Sequence, residues 1–286
     1  MTFSIIGGDL RQIALALKLK EDGYDVRIFG FDKELEINGL QKAKDISEAA
    51  SVDIVILPLP VSSDQTTVNA PFSDSEIQLD SLIKNLNEKA TVFGGKIPKS
   101  MCGACEEKGI GVFDYFDREE LSIANAIPTA EGAIEIALSE MPYTLHKSPC
   151  LVIGYGRIGK ILADRLKAFG ADVTVSARKY SDFAWIEANG YKKANSLKLE
   201  EIGKYRVIFN TVPAMILTRK ELEKIPEESL IIDLASKPGG VDFALAKELG
   251  VKVIWALSLP GKTAPITSGE IIKETILNIL REKEGL

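Results

Sequence analysis

The chain has 286 residues, close to two domains at roughly 150 residues each. Its 45% hydrophobic and 27% charged residues exclude disorder and the collagen-like and disulfide-scaffold classes. A formal charge of −6, from 35 Lys and Arg against 41 Asp and Glu, excludes a nucleic-acid carrier built on a broad basic face.

Three cysteines are too few for a disulfide framework, and the start Met1-Thr-Phe-Ser-Ile-Ile has neither a basic n-region nor a cleavable apolar stretch. No apolar run approaches the roughly 18 residues of a membrane span. A cytoplasmic protein is expected, with no membrane and no nucleic-acid partner.

The first predicted element is a strand, Phe3-Ser-Ile-Ile, then a Gly7-Gly8-Asp9 turn and a helix with Ile13, Leu15, Ala16, Leu17 and Leu19 apolar, stopping at Gly23. Arg11, one turn into that helix, is the first candidate to hold a substrate carboxylate; the alternative is a solvated helix Arg. Short runs rich in Val, Ile and Phe at 26–29, 52–57, 91–93 and 111–113 alternate with helical stretches and read as buried parallel strands. The polar stretch 58–80 follows a strand's carboxyl end, where open α/β sheets bind ligands, or is a loop without function. Lys96 and Arg118 are weaker cation candidates. Cys102-Gly-Ala-Cys105 lacks the further ligands of a zinc site and the surroundings of a redox pair, so both thiols are read as helix residues and no metal is expected.

From Pro128 to about His146 the pattern is helical again, with Ile134, Ile136, Ala137, Leu138 and Met141 apolar and Pro128 suited to a first turn. This predicts a connector helix over 128–147 between two domains. Thr129 at its start is a substrate contact or a cap. Glu131 in its first turn takes a proton, orients Arg11, or complements the helix dipole.

The most specific local signal follows a strand, Leu151-Val-Ile, and opens a helix: Gly154-Tyr155-Gly156-Arg157-Ile158-Gly159. A second strand at Val173 to Val175 completes the βαβ spacing of a dinucleotide site. Gly154 allows the tight turn, Gly156 lets the backbone approach the pyrophosphate, and Gly159 lets helix and strand pack closely. After the second strand the chain reads Ser176-Ala177-Arg178-Lys179, with no acid to bind a bare ribose. Arg178 and the Ser176 hydroxyl suit a 2′-phosphate, which predicts NADP over NAD; stacking of Arg178 on adenine is the alternative.

Two polar turns at strand ends follow, Asn210-Thr211-Val212-Pro213 and Asp233-Leu-Ala-Ser236-Lys237. Thr211, Val212 and Pro213 are expected to meet the cofactor's ribose or nicotinamide, and Asp233, Ser236 and Lys237 the substrate. Ordinary turn chemistry is the alternative for each. The last helix, about 268–284 after a strand at 251–255, carries Ile271, Ile272, Ile276, Leu277, Ile279 and Leu280 and needs a partner surface, expected on the first domain.

The fold class predicted is α/β: two Rossmann-like doubly wound domains with parallel sheets, joined by a long connector helix. The first is 1–127 plus 268–286, for substrate and catalysis; the second is 148–267, for NADP. His146, the one histidine, precedes the glycine motif and is read as an interface or surface residue and not as a base. The imidazole base of the 2-hydroxy-acid dehydrogenases is therefore missing near Ser258-Leu-Pro-Gly261.

Gly7-Gly8-Asp9-x-Arg11-Gln12, Ile127-Pro-Thr-Ala-Glu131-Gly132, the glycine motif, Asn210-Thr-Val-Pro-Ala-Met215, Asp233-Leu-Ala-Ser-Lys-Pro-Gly-Gly240 and Leu259-Pro-Gly-x-x-Ala-Pro265 occur in this order. Together they resemble the dipicolinate synthase A-subunit family of endospore-forming bacteria, over nearly the whole chain. The resemblance implies oxidation of a dihydrodipicolinate-level compound, derived from 4-hydroxy-tetrahydrodipicolinate, to pyridine-2,6-dicarboxylate. It also implies expression in the mother cell during sporulation and, as partner, a flavoprotein B subunit. Lys237 departs from what an Arg would offer there, since it loses bidentate carboxylate geometry. Hydride transfer to NADP⁺, driven by aromatisation, fits both lines, and a homo-oligomer is expected by analogy with two-domain dehydrogenases. The alternatives are a shikimate-dehydrogenase-like reductase and a non-catalytic NADP-binding subunit.

Overall fold

Runs that are apolar at consecutive positions, such as Ile54-Val-Ile and Leu230-Ile-Ile, are stable as strands only where both faces of a sheet are covered. The computed structural model, which describes residues 1–33, 37 and 39–284, shows two such sheets. The chain begins β1 (Thr2–Ile6), α1 (Leu10–Glu21), β2 (Asp25–Phe29), β3 (Gln41–Lys42), α2 (Ile46–Ala50), β4 (Ile54–Ile56), α3 (Leu79–Asn85), β5 (Thr91–Gly94), α4 (Lys99–Glu107) and β6 (Gly111–Asp114). It continues through α5 (Glu119–Glu140), β7 (Pro149–Ile153), α6 (Arg157–Ala168), β8 (Asp172–Ala177), α7 (Tyr180–Ala188), β9 (Lys192–Asn195) and β10 (Val207–Asn210). Last come α8 (Arg219–Leu222), β11 (Leu230–Asp233), α9 (Phe243–Glu248), β12 (Lys252–Trp255), α10 (Leu259–Thr263) and α11 (Pro265–Glu284).

The first sheet runs β3-β2-β1-β4-β5-β6 and the second β12-β11-β10-β7-β8-β9, all parallel. Both are Rossmann-like doubly wound sheets, and the strand order reverses between β1 and β4 in one and between β7 and β10 in the other. At such a reversal the loops after two neighbouring strands diverge and leave a crevice for ligand.

By its contacts the chain forms two units, Met1–Ala124 with Ala264–Leu286, and Asn125–Thr263. In the first, Phe3, Ile5, Leu15, Leu19 and Ile28 pack with Ile272, Ile276 and Ile279 of α11. Helix α11 starts at Pro265, three residues before the sequence expectation, because proline suits a first helical position. It lies close on α1: a Cβ added to Gly269 would stand 2.8 Å from Ala14 Cβ, and Lys273 Nζ reaches Asp22 at 2.6 Å. Residues 285 and 286 of the expected first domain lie outside the described residues.

The expected connector helix over 128–147 is corrected to α5, which starts nine residues earlier and ends at Glu140. Glu119 and Glu120 complement its first turn, and Pro128 sits inside it, where it removes one backbone hydrogen bond. Pro142 stops it soon after Glu140. Ala130, Ala133, Ile134 and Ala137 pack it on the second sheet's core.

The two units open on the same plan without an insertion. Thr2 matches Pro149, Gly7 matches Gly154, Leu10 matches Arg157, Gly23 matches Gly170 and Asp25 matches Asp172. Even the turn bond repeats, Gly7 N to Phe29 O at 2.8 Å and Gly154 N to Ser176 O at 3.0 Å.

Candidate functional site

In the second unit each motif glycine answers a separate steric demand. Gly154 takes φ +99°, and a Cβ there would stand 2.8 Å from Val212 Cγ2. Gly159 passes so close under the turn that a Cβ would run into the Gly154 carbonyl oxygen. Gly156, the N-cap of α6, faces open space and offers no capping side chain, and the first turn of α6 holds no acid. A backbone cradle at a helix N-terminus with room in front of it accepts a pyrophosphate. Gly159→Ala is therefore expected to cost about 1–3 kcal/mol of stability. Gly156→Ala should leave the thermal midpoint unchanged and weaken dinucleotide binding, as melts with and without NADPH would show.

The rest of the cradle is laid around that turn. Thr211 Oγ1 and its N–H both donate to Ile153 O at 2.9 Å, which ties the loop after β10 to the end of β7. Val212 is half-buried and Pro213 exposed. Tyr155 is half-buried, its hydroxyl accepting from Asn189 Nδ2 at 3.3 Å; burial raises its pKa. Ile158 packs on the core beneath.

After β8 one expectation is corrected. Ser176 is fully buried and its Oγ accepts from Ser196 Oγ at 2.9 Å, so its hydroxyl is inside the unit and not offered to a ribose phosphate. It sits on the sheet face opposite Ala177, and strand alternation turns it inward. Arg178 is the first exposed side chain after the strand, with Lys179 beside it.

Asp233, expected near substrate, is instead completely buried. Its Oδ1 accepts from Asn210 Nδ2 at 2.8 Å and Ala235 N at 3.0 Å, and its Oδ2 from Gly240 N at 2.8 Å. Asn210 Nδ2 also donates to Val212 O at 3.0 Å. This clasp fixes the loops after β10 and β11 to each other. Ser236 and Lys237 stand exposed on the second loop, and Trp255 Nε1 steadies it by donating to Ala235 O at 2.9 Å.

In the first unit Asp9 caps α1, accepting Arg11 N at 3.0 Å. The same carboxylate takes Arg11 Nε at 2.9 Å and Nη2 at 2.8 Å, and Nη2 also donates to Leu59 O at 2.8 Å, just after β4. Arg11 thus lies at the strand-order reversal, its side chain 13% exposed against 38% for Asp9. Burial works against its charge, but the Asp9 hydrogen bond and the charge interactions with Asp9 and Tyr115 together outweigh it, so its pKa is held above the ordinary value. Beneath it Gln12 Nε2 and Tyr115 Oη both donate to Leu57 O, at 3.0 and 2.9 Å.

Other expected residues are placed elsewhere. Thr129 is neither cap nor first-turn residue: mid-helix, its Oγ1 donates back to Asn125 O at 2.7 Å. Glu131, also mid-helix, pairs with Arg165 at 3.1 Å. Gly132 carries a packing demand that the sequence does not reveal: a Cβ there would meet Thr263 Oγ1 at 2.7 Å. Arg118 is spent on Glu120 and Glu282, each at 2.7 Å, and Lys96 Nζ lies 4.9 Å from the Phe116 ring centroid. Cys102 and Cys105 lie on α4, burial raising both thiols, and no metal-binding group occurs among the described residues. His146 is exposed just before β7, at the strand's end opposite the glycine turn.

Comparison with known proteins places both units. Residues 2–116 match the family model of the N-terminal domain of the dipicolinate synthase A subunit, and residues 129–257 that of the D-isomer specific 2-hydroxyacid dehydrogenase NAD binding domain. The chain is 32% identical to the A subunit of dipicolinate synthase from Bacillus subtilis (strain 168), over 99% of this chain and 96% of that protein. The crystal structure of the Bacillus subtilis protein matches with a TM-score of 0.87, over 100% of this chain and 97% of that one. Its counterpart from Bacillus halodurans matches at 0.86 and 31% identity, over 98% and 97%. A transhydrogenase from Sinorhizobium meliloti, at 17% identity and TM-score 0.70 over 98% and 94%, shares the fold. The second unit is thus a nicotinamide-dinucleotide domain of dehydrogenase type. No helix is long and apolar enough to cross a membrane among the described residues.

Proposed function

The chain belongs to the dipicolinate synthase A-subunit family, and from that membership we propose that it is an NADP-dependent oxidoreductase making pyridine-2,6-dicarboxylate. Its substrate is a dihydrodipicolinate-level ring diacid derived from 4-hydroxy-tetrahydrodipicolinate. The reaction takes a hydride and a proton from the ring, and aromaticity of the product drives it.

The observation that carries this reading is the glycine cradle, sterically required at Gly154 and Gly159 and open at Gly156, on a chain that aligns end to end with the family. These residues fit a nicotinamide dinucleotide, which when bound supplies the hydride acceptor. The chain's own groups bind and orient. Gly156 and the amides opening α6 take the pyrophosphate, Thr211, Val212 and Pro213 flank the ribose and ring, and Arg178 takes the 2′-phosphate. Arg11, held in place by Asp9, presents its remaining donors to a substrate carboxylate. Ser236 and Lys237 are further substrate contacts. Removing a hydride towards an aromatic ring asks less of an acid or base than alcohol oxidation does, so the chain needs no histidine for it.

A flavoprotein partner and a sporulating mother cell belong to the same proposal. The test mixes purified chain, NADP⁺ and the cyclised substrate, with and without that flavoprotein, and follows dipicolinate absorbance. Product supports the reading. Its absence under both conditions overturns it in favour of a non-catalytic binding subunit.

A further inference from the structure

A ring with two carboxylates asks for a second cation, since Arg11 takes only one of them. Of the cations in the loops after β2, β5 and β6, Lys33 Nζ is given to Pro71 O at 2.7 Å and Arg118 to Glu120 and Glu282. Lys96, after β5, meets no carboxylate or carbonyl among the described residues. Its ammonium lies on the face of the Phe116 ring, 4.9 Å from the centroid, a contact that leaves N–H donors for an anion.

The backbone of Lys96 is held from several sides in a conformation that lysine rarely adopts, with φ at +54°. Ile97 N donates to Asp114 Oδ2 at 2.9 Å and Phe116 N to Asp114 Oδ1 at 2.8 Å, so one carboxylate fixes both the backbone beside the lysine and the ring beneath its ammonium. On the other side Gly95 N donates to Pro58 O at 3.1 Å and Val61 N to Gly95 O at 2.9 Å. A solvated lysine gains nothing from such a backbone, which glycine would take without strain. An unfavourable conformation held at the ligand edge of a parallel sheet points to a use for the side chain.

Leu59 ties Lys96 to Arg11. Its carbonyl oxygen accepts from Arg11 Nη2 at 2.8 Å, and its side chain lies so near the residue before Lys96 that a Cβ on Gly95 would stand 2.9 Å from Leu59 Cβ. The two cations thus follow β1 and β5, with β4 between those strands. Two strand spacings put the strand ends about 10 Å apart. A six-membered ring with a carboxylate on each side of its nitrogen, and a cation within about 4 Å of each, fills that span.

We infer that Lys96 is the second carboxylate anchor, so that Arg11 and Lys96 hold the two acid groups of one ring between them and select a diacid over a monoacid. This deepens the ring-diacid reading above and rests on it. The two side chains divide the task by their chemistry. The planar fork of Arg11 fixes one carboxylate in direction, and the compact ammonium of Lys96, on a flexible stem, follows the other as the ring flattens to the aromatic product.

The test is calorimetry of the full chain, in chelator-treated buffer, with two probes that differ by one carboxylate: pyridine-2,6-dicarboxylate and pyridine-2-carboxylate. The wild-type chain should bind the diacid about tenfold more tightly, as a hydrogen bond between charged groups requires. Lys96→Met should bring the diacid down to the affinity of the monoacid and leave the monoacid unchanged. Lys96→Gly, which takes the positive φ freely, should do the same in a chain whose fold it cannot strain. Lys99→Met removes an equal charge three residues on and should keep the tenfold ratio. Equal binding of the two probes by the wild-type chain, a ratio unchanged in both Lys96 variants, or a ratio lost as fully in Lys99→Met overturns this inference alone. Binding of neither probe by the wild-type chain overturns the ring-diacid reading, and the inference with it.

Discussion

Asp233→Leu is expected to lower the free energy of unfolding by about 3–5 kcal/mol, measured by denaturant titration. Leucine approximates the shape of aspartate but accepts nothing, so Ala235 N–H, Gly240 N–H and one bond of the Asn210 amide are left buried without acceptors. The loss is large because these donors are too deep to turn to bulk solvent and because Gly240 leaves no slack: a Cβ there would collide with Asn210 Nδ2. Asp233→Asn should cost less, since only one of its two head atoms becomes a donor facing a donor. Truncating Asn210 in the Asp233→Leu background should cost less than it does alone, because the two residues share one network. Trp255 reports the same event. It donates to Ala235 O and stacks on Phe243 at 4.8 Å, so its fluorescence, read in a Trp185→Phe background, should shift as the loop loosens. A variant within about 1 kcal/mol of wild type, below the usual cost of one unmet buried donor, would refute the clasp.

How much of this is legible in the sequence follows from range. The glycine motif can be read because its meaning is local: strand, turn and helix are contiguous, and the steric reason for each glycine lies within the βαβ unit or in the loop after β10. Strands β4, β5 and β11 are legible because their cores are unbroken apolar runs, and β1 because its run of Phe3, Ile5 and Ile6 is interrupted only at Ser4. Strands β3 (Gln41-Lys42) and β9 (Lys192-Lys-Ala-Asn195) carry no such signal, being sheet edges with polar side chains, and escape a reading by apolar pattern. The start of α5 is misplaced by its proline, a first-turn residue by preference that is tolerated inside a helix held by tertiary packing. The same misplacement carries Thr129 and Glu131 to a helix start they do not occupy.

The inward turn of Ser176 and the burial of Asp233 are hidden for another reason. Which face a strand residue takes, and which amides converge on a carboxylate, are set by elements far off in sequence. The matched openings of the two units show the same limit from the other side. Gly7-Gly8-Asp9 and Gly154-Tyr155-Gly156 stand in equivalent places, and both first glycines are crowded by the loop after the neighbouring strand, residues 68–70 in one unit and Thr211 and Val212 in the other, but only the structure shows the Asp9 carboxylate capping one helix where Gly156 offers no side chain. The plan is repeated, and two differences, at the positions of Asp9 and Gln12, separate a phosphate cradle from a charge pair.

Arg178→Glu is expected to raise the Kd for NADPH about a hundredfold while moving that for NADH by no more than about threefold. The argument starts from what the end of β8 leaves available. Ser176 and Ala177 are buried, so among the side chains ending this strand Arg178 is the first that a ribose substituent can reach, and the nearest acid that follows is Asp182 in the first turn of α7. Arg178 makes no ion pair within the described residues, so its donors need not be withdrawn from a protein carboxylate before they serve a ligand. A 2′-phosphate brings close to two negative charges to that point, and a guanidinium meets it with two parallel charge-assisted bonds. Glutamate removes those bonds and adds repulsion, whereas the bare 2′-hydroxyl of NADH can donate to the new carboxylate and loses little. Arg178→Gln, lacking the repulsion, should fall between. Because the side chain is exposed, the NADPH preference proposed for the wild-type chain should narrow as ionic strength rises, and any preference left in Arg178→Gln should not. Equal weakening of both coenzymes by Arg178→Glu would remove the phosphate contact and leave adenine stacking as the role of this side chain.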